Sequence, residues 1–376
     1  MARNRVIYQS EGIFVNTDAS LGAVKDTAQL SRVQSANYSY TINRQDVNQY
    51  GELARIDSLV LDPPTVSVDF SYYLTDGQNE HILGFYVQTG IADGSALSAA
   101  GNFASGHLTA GSGVNVYIVT SPEGDDLNTA AGGGAAPMTS ANDKVMGIGN
   151  CYLTDYSIDL SVGSLPTASV TMEGANIQSS DADDINNPAV NQTDGTSVNT
   201  KVLLPDAFAS GSGQSISALR PGDITLNLTD FDTDTFSDID GADSIHIQSC
   251  SLSVPLSRTP LDRLGSKFAY ARTVDFPVVT TLNVSAIMNE QQSKNLSTLL
   301  EQAEKDVSIT MKAPDGTTPA IKWDFKGALV ESENWSSSIG SNKTVDLTFT
   351  AQIGGPEDIT DGVFLSGSNY TSPYFV

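Results

Sequence analysis

Apolar and polar residues alternate with a period of two in several stretches of this chain. In residues 66–72, apolar side chains occupy every second position and small polar side chains occupy the others. The same alternation recurs in 36–42, 156–162 and 168–172. A period of two is typical of strands that bury one face and expose the other. The pattern therefore predicts four amphipathic strands in the first half of the chain.

The second half repeats this pattern. Arg44 corresponds to Arg258 and Gly51 to Gly265, and apolar positions keep their phase. The matched stretches are 33–71 with 247–285 at an offset of 214, 114–118 with 307–311 at an offset of 193, and 161–171 with 338–348 at an offset of 177. Because order and phase are kept, we expect an internal duplication. The alternative is two unrelated strand-rich segments that share a Ser/Thr alternation.

The falling offset places extra residues in the first copy, near 75–113 and 120–147. The predicted organisation is a first domain over 1–177, a linker over 178–222 and a second domain over 223–376. Abundant Gly, Ser, Thr, Asn and Asp together with few helical patterns favour an all-β fold. We expect two tandem copies of one unit that builds a β-sandwich or a barrel.

Each predicted unit has a long arm between its first two strands, at 43–63 and 257–277. One short helix per unit is also expected. In the second copy Asn289 is a candidate N-cap, and an apolar stripe at helical spacing includes Leu296 and Leu299. The equivalent helix of the first copy is expected near Leu97–Phe103.

Small neutral or acidic residues occupy the polar face of the predicted strands, and none of them is Lys or Arg. Solvent-facing strands commonly carry Lys, partly to prevent pairing with other chains. Such a face suits a channel through which a polyanion slides without binding. The alternative is that Ser and Thr simply suit exposed strands. The candidate channel-lining residues are Ser35, Asn37, Ser39, Ser67, Asp69, Ser71, Asp155, Ser157, Asp159 and Ser169.

The formal net charge is −25, from 44 acidic and 19 basic residues. Binding to nucleic acid by phosphate neutralisation needs clustered Lys and Arg, so the composition argues against it. A plain role in solubility explains the same charge. Basic residues concentrate in the two arms, which favours docking onto an acidic neighbouring copy. They are Arg44, Arg55, Arg258, Arg263, Lys267 and Arg272.

No catalytic or cofactor-binding pattern is visible in the sequence. The three histidines lack zinc spacing, and neither a nucleophile elbow nor a phosphate loop occurs. The run from Asp230 to Asp234 has a calcium-loop beginning, but Thr235 and Gly241 stand where Gly and Glu are needed. We therefore expect a protein that is not an enzyme and holds no metal or cofactor.

The two cysteines, Cys151 and Cys250, lie in strand-like stretches. Buried free thiols are expected, and a bridge between them is the alternative. Neither a signal peptide nor an apolar stretch of membrane-spanning length is visible. We expect synthesis and assembly in a cytoplasm, with no membrane partner.

The stretch LSRVQSANYSY at 30–40, followed by NRQDVNQ at 43–49, resembles the major tail tube proteins of long-tailed bacteriophages. The repeated unit of amphipathic strands, an arm and one helix resembles the same family. In that family six units form a ring whose strands close a barrel around the DNA channel, and rings stack through the long arm. A duplicated chain then implies a homotrimer with pseudo-hexameric symmetry.

The resemblance also implies where the protein acts and with what. It implies a subunit of the virion tail, assembled in the host cytoplasm, with the viral DNA passing through during ejection without specific binding. The implied protein partners are further copies of the chain and the tape measure, terminator and baseplate proteins. Two alternatives stay open: another tail component on the same fold, such as a hub or terminator, and a two-domain surface or adhesion β protein.

Overall fold

A computed structural model of the chain describes most of its residues, and the account below concerns these alone. Of the described residues, 60% lie in strands and 5% in helices, which confirms the all-β prediction. The described residues are 10–16, 27–61, 63–89, 102–109, 113–122, 127, 138, 142–191, 195–197, 200–205, 218–227, 245–288, 304–338, 342–356, 358 and 360–367.

The described elements are short strands with two one-turn helices. In the first half the strands are β1 (Glu11–Asn16), β2 (Thr27–Gln29), β3 (Val33–Thr41), β4 (Arg44–Val47), β5 (Asp57–Val60), β6 (Thr65–Tyr73), β7 (Gln88–Thr89), β8 (Val114–Thr120), β9 (Lys144–Ser161), β10 (Thr167–Gly174) and β11 (Asn176–Asp181). In the second half they are β12 (Ile224–Asn227), β13 (Ile245–Pro255), β14 (Arg258–Leu261), β15 (Ala271–Val274), β16 (Val278–Met288), β17 (Lys305–Lys312), β18 (Pro319–Ser336), β19 (Thr344–Ile353) and β20 (Gly362–Gly367). The helices are α1 (Gln78–Ile82) and α2 (Ser105–Thr109).

Eight strands lie side by side in the order β3-β6-β10-β9-β13-β16-β19-β18, each antiparallel to its neighbours. We refer to these eight strands as the central sheet. Its first four strands, β3-β6-β10-β9, are named the first block, and β13-β16-β19-β18 the second block. The four predicted amphipathic strands of the first half are those of the first block.

The two blocks have the same pairing register. Pairs in the first block become pairs in the second when the first two strands are shifted by 214 residues and the last two by 177. Three matched sets are Ser35–Ser71 with Ser249–Ser285, Ser71–Ser169 with Ser285–Asp346, and Ser169–Ser157 with Asp346–Asn334. The bulges also correspond, since they fall at Gln34 and Gln248 and at Thr154 and Glu331.

The arms between the first two strands of each block are hairpins. β4 pairs with β5 in the first arm, and β14 pairs with β15 in the second. Arg44 lies opposite Val60, and Arg258 lies opposite Val274. Each arm turns at a glycine with positive φ, +91° at Gly51 and +88° at Gly265, a conformation that residues with a Cβ rarely adopt.

The two longest strands, β9 and β18, have 18 residues each and extend beyond the central sheet. The first part of β9 pairs with β8 and β11, and β1 pairs with β8 and β2. The first part of β18 pairs with β17 and β20, and β12 pairs with β17. The apolar face of the central sheet packs into one core with residues from these additional strands.

Aromatic residues fill the middle of this core. The ring of Phe103 is 3.9 Å from that of Phe85, 5.2 Å from that of Tyr156 and 4.8 Å from that of Trp323. Phe85 and Phe103 belong to the extra segment predicted near 75–113. That segment therefore contributes to the core that the two blocks share.

A buried carboxyl group, that of Glu80 in α1, lies under the first block. It accepts hydrogen bonds from the hydroxyls of Tyr72 (2.9 Å) and Tyr156 (3.1 Å). Burial raises the pKa of Glu80 above its usual range, because the charged form loses its water.

The segment predicted as a linker, 178–222, packs against the first half where it is described. Ile185 and Val202 are buried in a second, smaller core with Phe14 and Tyr117. Both predicted cysteine thiols are buried and free, and burial raises the pKa of each to about 12. Cys151 is in β9 and Cys250 in β13.

Several sequence predictions fall on residues outside the described part of the chain. The helix expected from Asn289 to Ala303, the acidic run from Asp230 to Gly241 and the turn 339–341 all lie outside it. So does the helix expected near Leu97–Phe103, except for its last residues, and α2 begins just after it.

Candidate functional site: a polar sheet face between two open edges

Hydroxyl groups form a continuous row across the polar face of the central sheet. Seven strands contribute to it, and each member is paired with the next along the sheet. The row is Ser35, Ser71, Ser169, Ser157, Ser253, Thr281 and Thr350. The row therefore passes from the first block into the second without a break.

Polar side chains on this face hydrogen-bond to each other across strands. The hydroxyls of Ser35 and Ser71 are 2.6 Å apart, and the hydroxyl of Ser285 donates to Asp346 at 2.7 Å. The Thr348 hydroxyl donates to the Asn283 side chain. Such pairs satisfy polar groups with short side chains, so nothing long projects from the face.

Charge on the polar face is acidic wherever the structure describes it. Its charged members are Asp69, Asp155, Asp159, Glu173 and Asp346, and no Lys or Arg occupies a described position of that face. Partial burial raises the pKa of Asp155. The face thus offers no cation to a phosphate group.

All ten predicted channel-lining residues lie on this face. Ser35, Asn37 and Ser39 are in β3, Ser67, Asp69 and Ser71 in β6, Asp155, Ser157 and Asp159 in β9, and Ser169 in β10. Those four strands are adjacent, so the sequence pattern placed the residues together correctly. Whether they line a channel stays a prediction, because one chain forms a sheet and not a closed ring.

The two blocks join at the pairing of β9 with β13, which we name the internal seam. Ser157 lies opposite Ser253, and Ile158 lies opposite Leu252. Backbone bonds extend the pairing at both ends, from Leu256 to the carbonyl of Thr154 and from Val162 to that of Gln248, each 2.9 Å.

Arg258, at the base of the second arm, locks the internal seam. Its guanidinium donates to the backbone carbonyls of His107 (2.9 Å) and Leu153 (3.3 Å) and lies 5.2 Å from the ring centre of Tyr152. A neighbouring arm residue, Arg272, makes an ion pair of 2.7 Å with Glu173. Both arm residues thus contact the first half of their own chain.

The imidazole of His107 is buried beneath this contact. Burial, and then the nearby charge of Arg258, lower the pKa of His107 to about 3. The side chain is therefore neutral in the folded protein near neutral pH. Neither this histidine nor the three carbonyl contacts of Arg258 had a sequence signal, since they join residues more than 100 positions apart or across the arm.

The first open edge of the central sheet is β3. Within the described chain, no strand pairs with its outer side. Its apolar residues Tyr38, Tyr40 and Ile42 are 44%, 62% and 41% exposed. Their counterparts 214 residues later, Leu252, Val254 and Leu256, are fully buried at the internal seam.

The second open edge is the last part of β18, residues 329–336. Among described residues it pairs with β19 on one side only. Leu329 is 40% exposed and Trp335 is half-buried, whereas the matching positions of β9, Tyr152 and Ile158, are buried. Both ends of the central sheet thus present unpaired backbone and uncovered apolar side chains.

The first arm extends from β3 into solvent. All described residues of β4 are exposed, and Tyr50 and Leu53 in its turn region are fully exposed. Leu264 is equally exposed at the turn of the second arm. Large apolar residues at such tips mark contact surfaces more often than isolated surface residues do.

Neither any protein-family model nor any curated protein sequence matches this chain. Across the described ranges, no group of three or more His, Cys, Asp or Glu side chains is arranged to hold a metal ion. No helix in the described part has the length and apolar character needed to cross a membrane.

Proposed function

We propose that this chain is a structural subunit of a bacteriophage tail tube, and that its two halves are copies of one tube unit. Three chains close into a pseudo-hexameric ring, and rings stack into a conduit. The genome passes along the polar face of the central sheet during ejection. The observation that carries the proposal is that two blocks of identical strand order and register share one sheet with an uncharged-to-acidic face.

The polar face fits a conduit for DNA for an electrostatic reason. Lys and Arg side chains hold phosphates and release counterions, and the described face has neither. Short hydroxyls that bond to each other leave a wet surface with few groups that grip a sliding polyanion. Closing the sheet would also remove its two edges, which are otherwise prone to aggregate.

Electron microscopy of the purified protein over a range of concentrations tests the proposal. We expect rings and stacked tubes with threefold symmetry and a sixfold modulation of density. A chain that stays monomeric at every concentration and salt tried would contradict the proposal. Isolated rings that never stack would instead favour a hub or terminator on the same fold.

A further inference from the structure

The internal seam shows how the end of one block accepts the start of the next. In it, β9 ends the first block and β13 begins the second. The same two positions in the opposite blocks are the last part of β18 and β3, which are the two open edges. A second copy of this chain therefore offers to each open edge a strand like the one that the internal seam already seats.

We propose that β3 of one chain pairs with residues 332–338 of a second copy in the register of the internal seam, and that Arg44 locks this contact as Arg258 locks the internal one. The contact is named the external seam below. This inference rests on the proposed function for its biological meaning, but its geometry comes from the seam within the chain.

The register follows from the two offsets. Ser253 faces Ser157 internally, and 253 − 214 = 39 while 157 + 177 = 334, so Ser39 faces Asn334 of the second copy. In the same way, Leu252 facing Ile158 becomes Tyr38 facing Trp335. Tyr38 is exposed and Trp335 half-buried in the single chain, and this aromatic pair becomes covered on contact.

A groove beside β3 supports the same occupant. At the internal seam, a small cavity is walled by Ile224, Ile247 and Ile309 on one side and by the segment Leu160–Val162 of the first block on the other. The matching cavity beside β3 is walled by residues from β1, β3 and β8 only, namely Gly12, Ile13, Val33, Ala36 and Ile118. The missing wall corresponds to residues 337–339, which the second copy supplies.

Arg44 occupies the position of Arg258 in its own arm, and it faces Val60 as Arg258 faces Val274. In the single chain Arg44 is exposed. Leu153 plus 177 is Val330, so the external seam places the Arg44 guanidinium at the backbone carbonyl of Val330 in the second copy. The ion pair of Arg272 with Glu173 has no counterpart there, because the matching residues are Ser58 and Thr350. The external seam is therefore the weaker of the two.

Paired cysteines in the full-length protein test the register. Opposed residues of an antiparallel pair have Cβ atoms about 4.5–5.5 Å apart, close to the reach of a disulfide. Mild oxidation of Ser39→Cys/Asn334→Cys is expected to join chains, giving linked dimers and trimers on a non-reducing gel. The variant Ser35→Cys/Asn334→Cys is four residues out of register and is expected to link at least tenfold less.

The internal seam provides the matched control. Ser157→Cys/Ser253→Cys is expected to form a disulfide within one chain, whatever the state of assembly. Absence of linked chains from Ser39→Cys/Asn334→Cys, while this control oxidises and electron microscopy shows tubes, would overturn the external seam and leave the proposed function standing. Linked chains without rings or tubes would support the seam and contradict the tube.

Arg44 is tested by the concentration needed for half-maximal assembly, followed by light scattering. Arg44→Ala is expected to raise that concentration about tenfold, because a charge-assisted hydrogen bond is lost. Arg44→Lys is expected to restore part of the loss. Arg55→Ala, in the same arm, has no such position and serves as control. An unchanged concentration for Arg44→Ala would remove Arg44 from the seam.

Discussion

β13 and β3 hold the same place in their blocks but differ in what lies beside them. β13 is paired on both sides and its apolar residues are buried, whereas β3 is paired on one side and its apolar residues are exposed. Their polar faces are alike, with small hydroxyl and amide residues. The comparison shows that position in the sheet, and not strand sequence alone, decides whether a strand stabilises one chain or is available to another.

The largest difference is expected from truncating an apolar residue in each strand. Leu252→Ala removes a fully buried side chain and is expected to lower the free energy of unfolding by about 2–5 kcal/mol. Tyr38→Ala removes a half-exposed ring and is expected to change it by less than about 1 kcal/mol in the single chain. Urea unfolding of unassembled protein measures both.

Equal losses for Leu252→Ala and Tyr38→Ala would contradict the comparison, since β3 would then be covered within one chain. The two variants should diverge in the opposite direction in assembly. Tyr38→Ala is expected to block ring formation at concentrations where Leu252→Ala, if folded, still assembles.

The arm arginines give the next largest difference. Arg258→Ala removes hydrogen bonds to two carbonyls of the first half and is expected to lower the free energy of unfolding by about 2–3 kcal/mol. Arg44→Ala removes an exposed side chain and is expected to stay within about 0.5 kcal/mol of the unchanged protein. Thermal unfolding of the two variants side by side checks the pair, and a loss for Arg44→Ala as large as that for Arg258→Ala would show the first arm docked on its own chain.

Acid is expected to weaken the internal seam through His107. Its pKa is about 3 in the folded protein, below the ordinary 6.5, so between these values the unfolded chain binds a proton that the folded chain does not. Stability therefore falls as the pH drops from 6.5 towards 3, by up to about 1.4 kcal/mol per pH unit from this residue. The difference in unfolding free energy between the unchanged protein and His107→Leu is expected to follow that slope.

His246 is the matched control for this pH dependence, because its side chain is exposed. His246→Leu is expected to leave the acid dependence of unfolding as it is. A pH profile that His107→Leu does not flatten would mean that the folded protein accommodates a charged His107.

The smallest effect on folding is expected on the polar face. Ser71→Lys and Ser285→Lys place a cation at matching positions of the two blocks and are expected to change stability by no more than about 0.5–1 kcal/mol. In a tube they are expected to slow genome ejection without preventing assembly, since phosphates gain a counter-charge. The Ser→Thr variants at the same positions control for side-chain size, and unchanged ejection rates would argue against DNA contact with this face.

Much of the central sheet was predictable from the sequence because alternation and offset both carry information about register. A constant offset of 214 over 33–71 already required equivalent pairings in the two blocks, and the structure has them. The polar-face residues followed from the same alternation. The free thiols of Cys151 and Cys250 were also expected correctly.

The remaining parts depend on contacts between distant residues, which periodicity does not report. Nothing local marks Glu80 as buried, because its partners Tyr72 and Tyr156 come from two different strands. The buried residues of 178–222 lie in a stretch rich in Asp and Asn that is typical of a linker. The position of Arg258 over the first half follows from the join of β9 with β13, which the repeat alone does not fix.

The two open edges are unlike each other, and this has a consequence for how an assembly grows. Contact between unlike surfaces is heterologous, so every added chain uses one edge and presents a fresh one. Such growth stops only when the rotation per subunit returns the last edge to the first, and otherwise it yields an open helix. The curvature of the central sheet, set by its twist and by the bulges at Gln34, Thr154, Gln248 and Glu331, is thus what decides between a closed cycle and an unlimited filament.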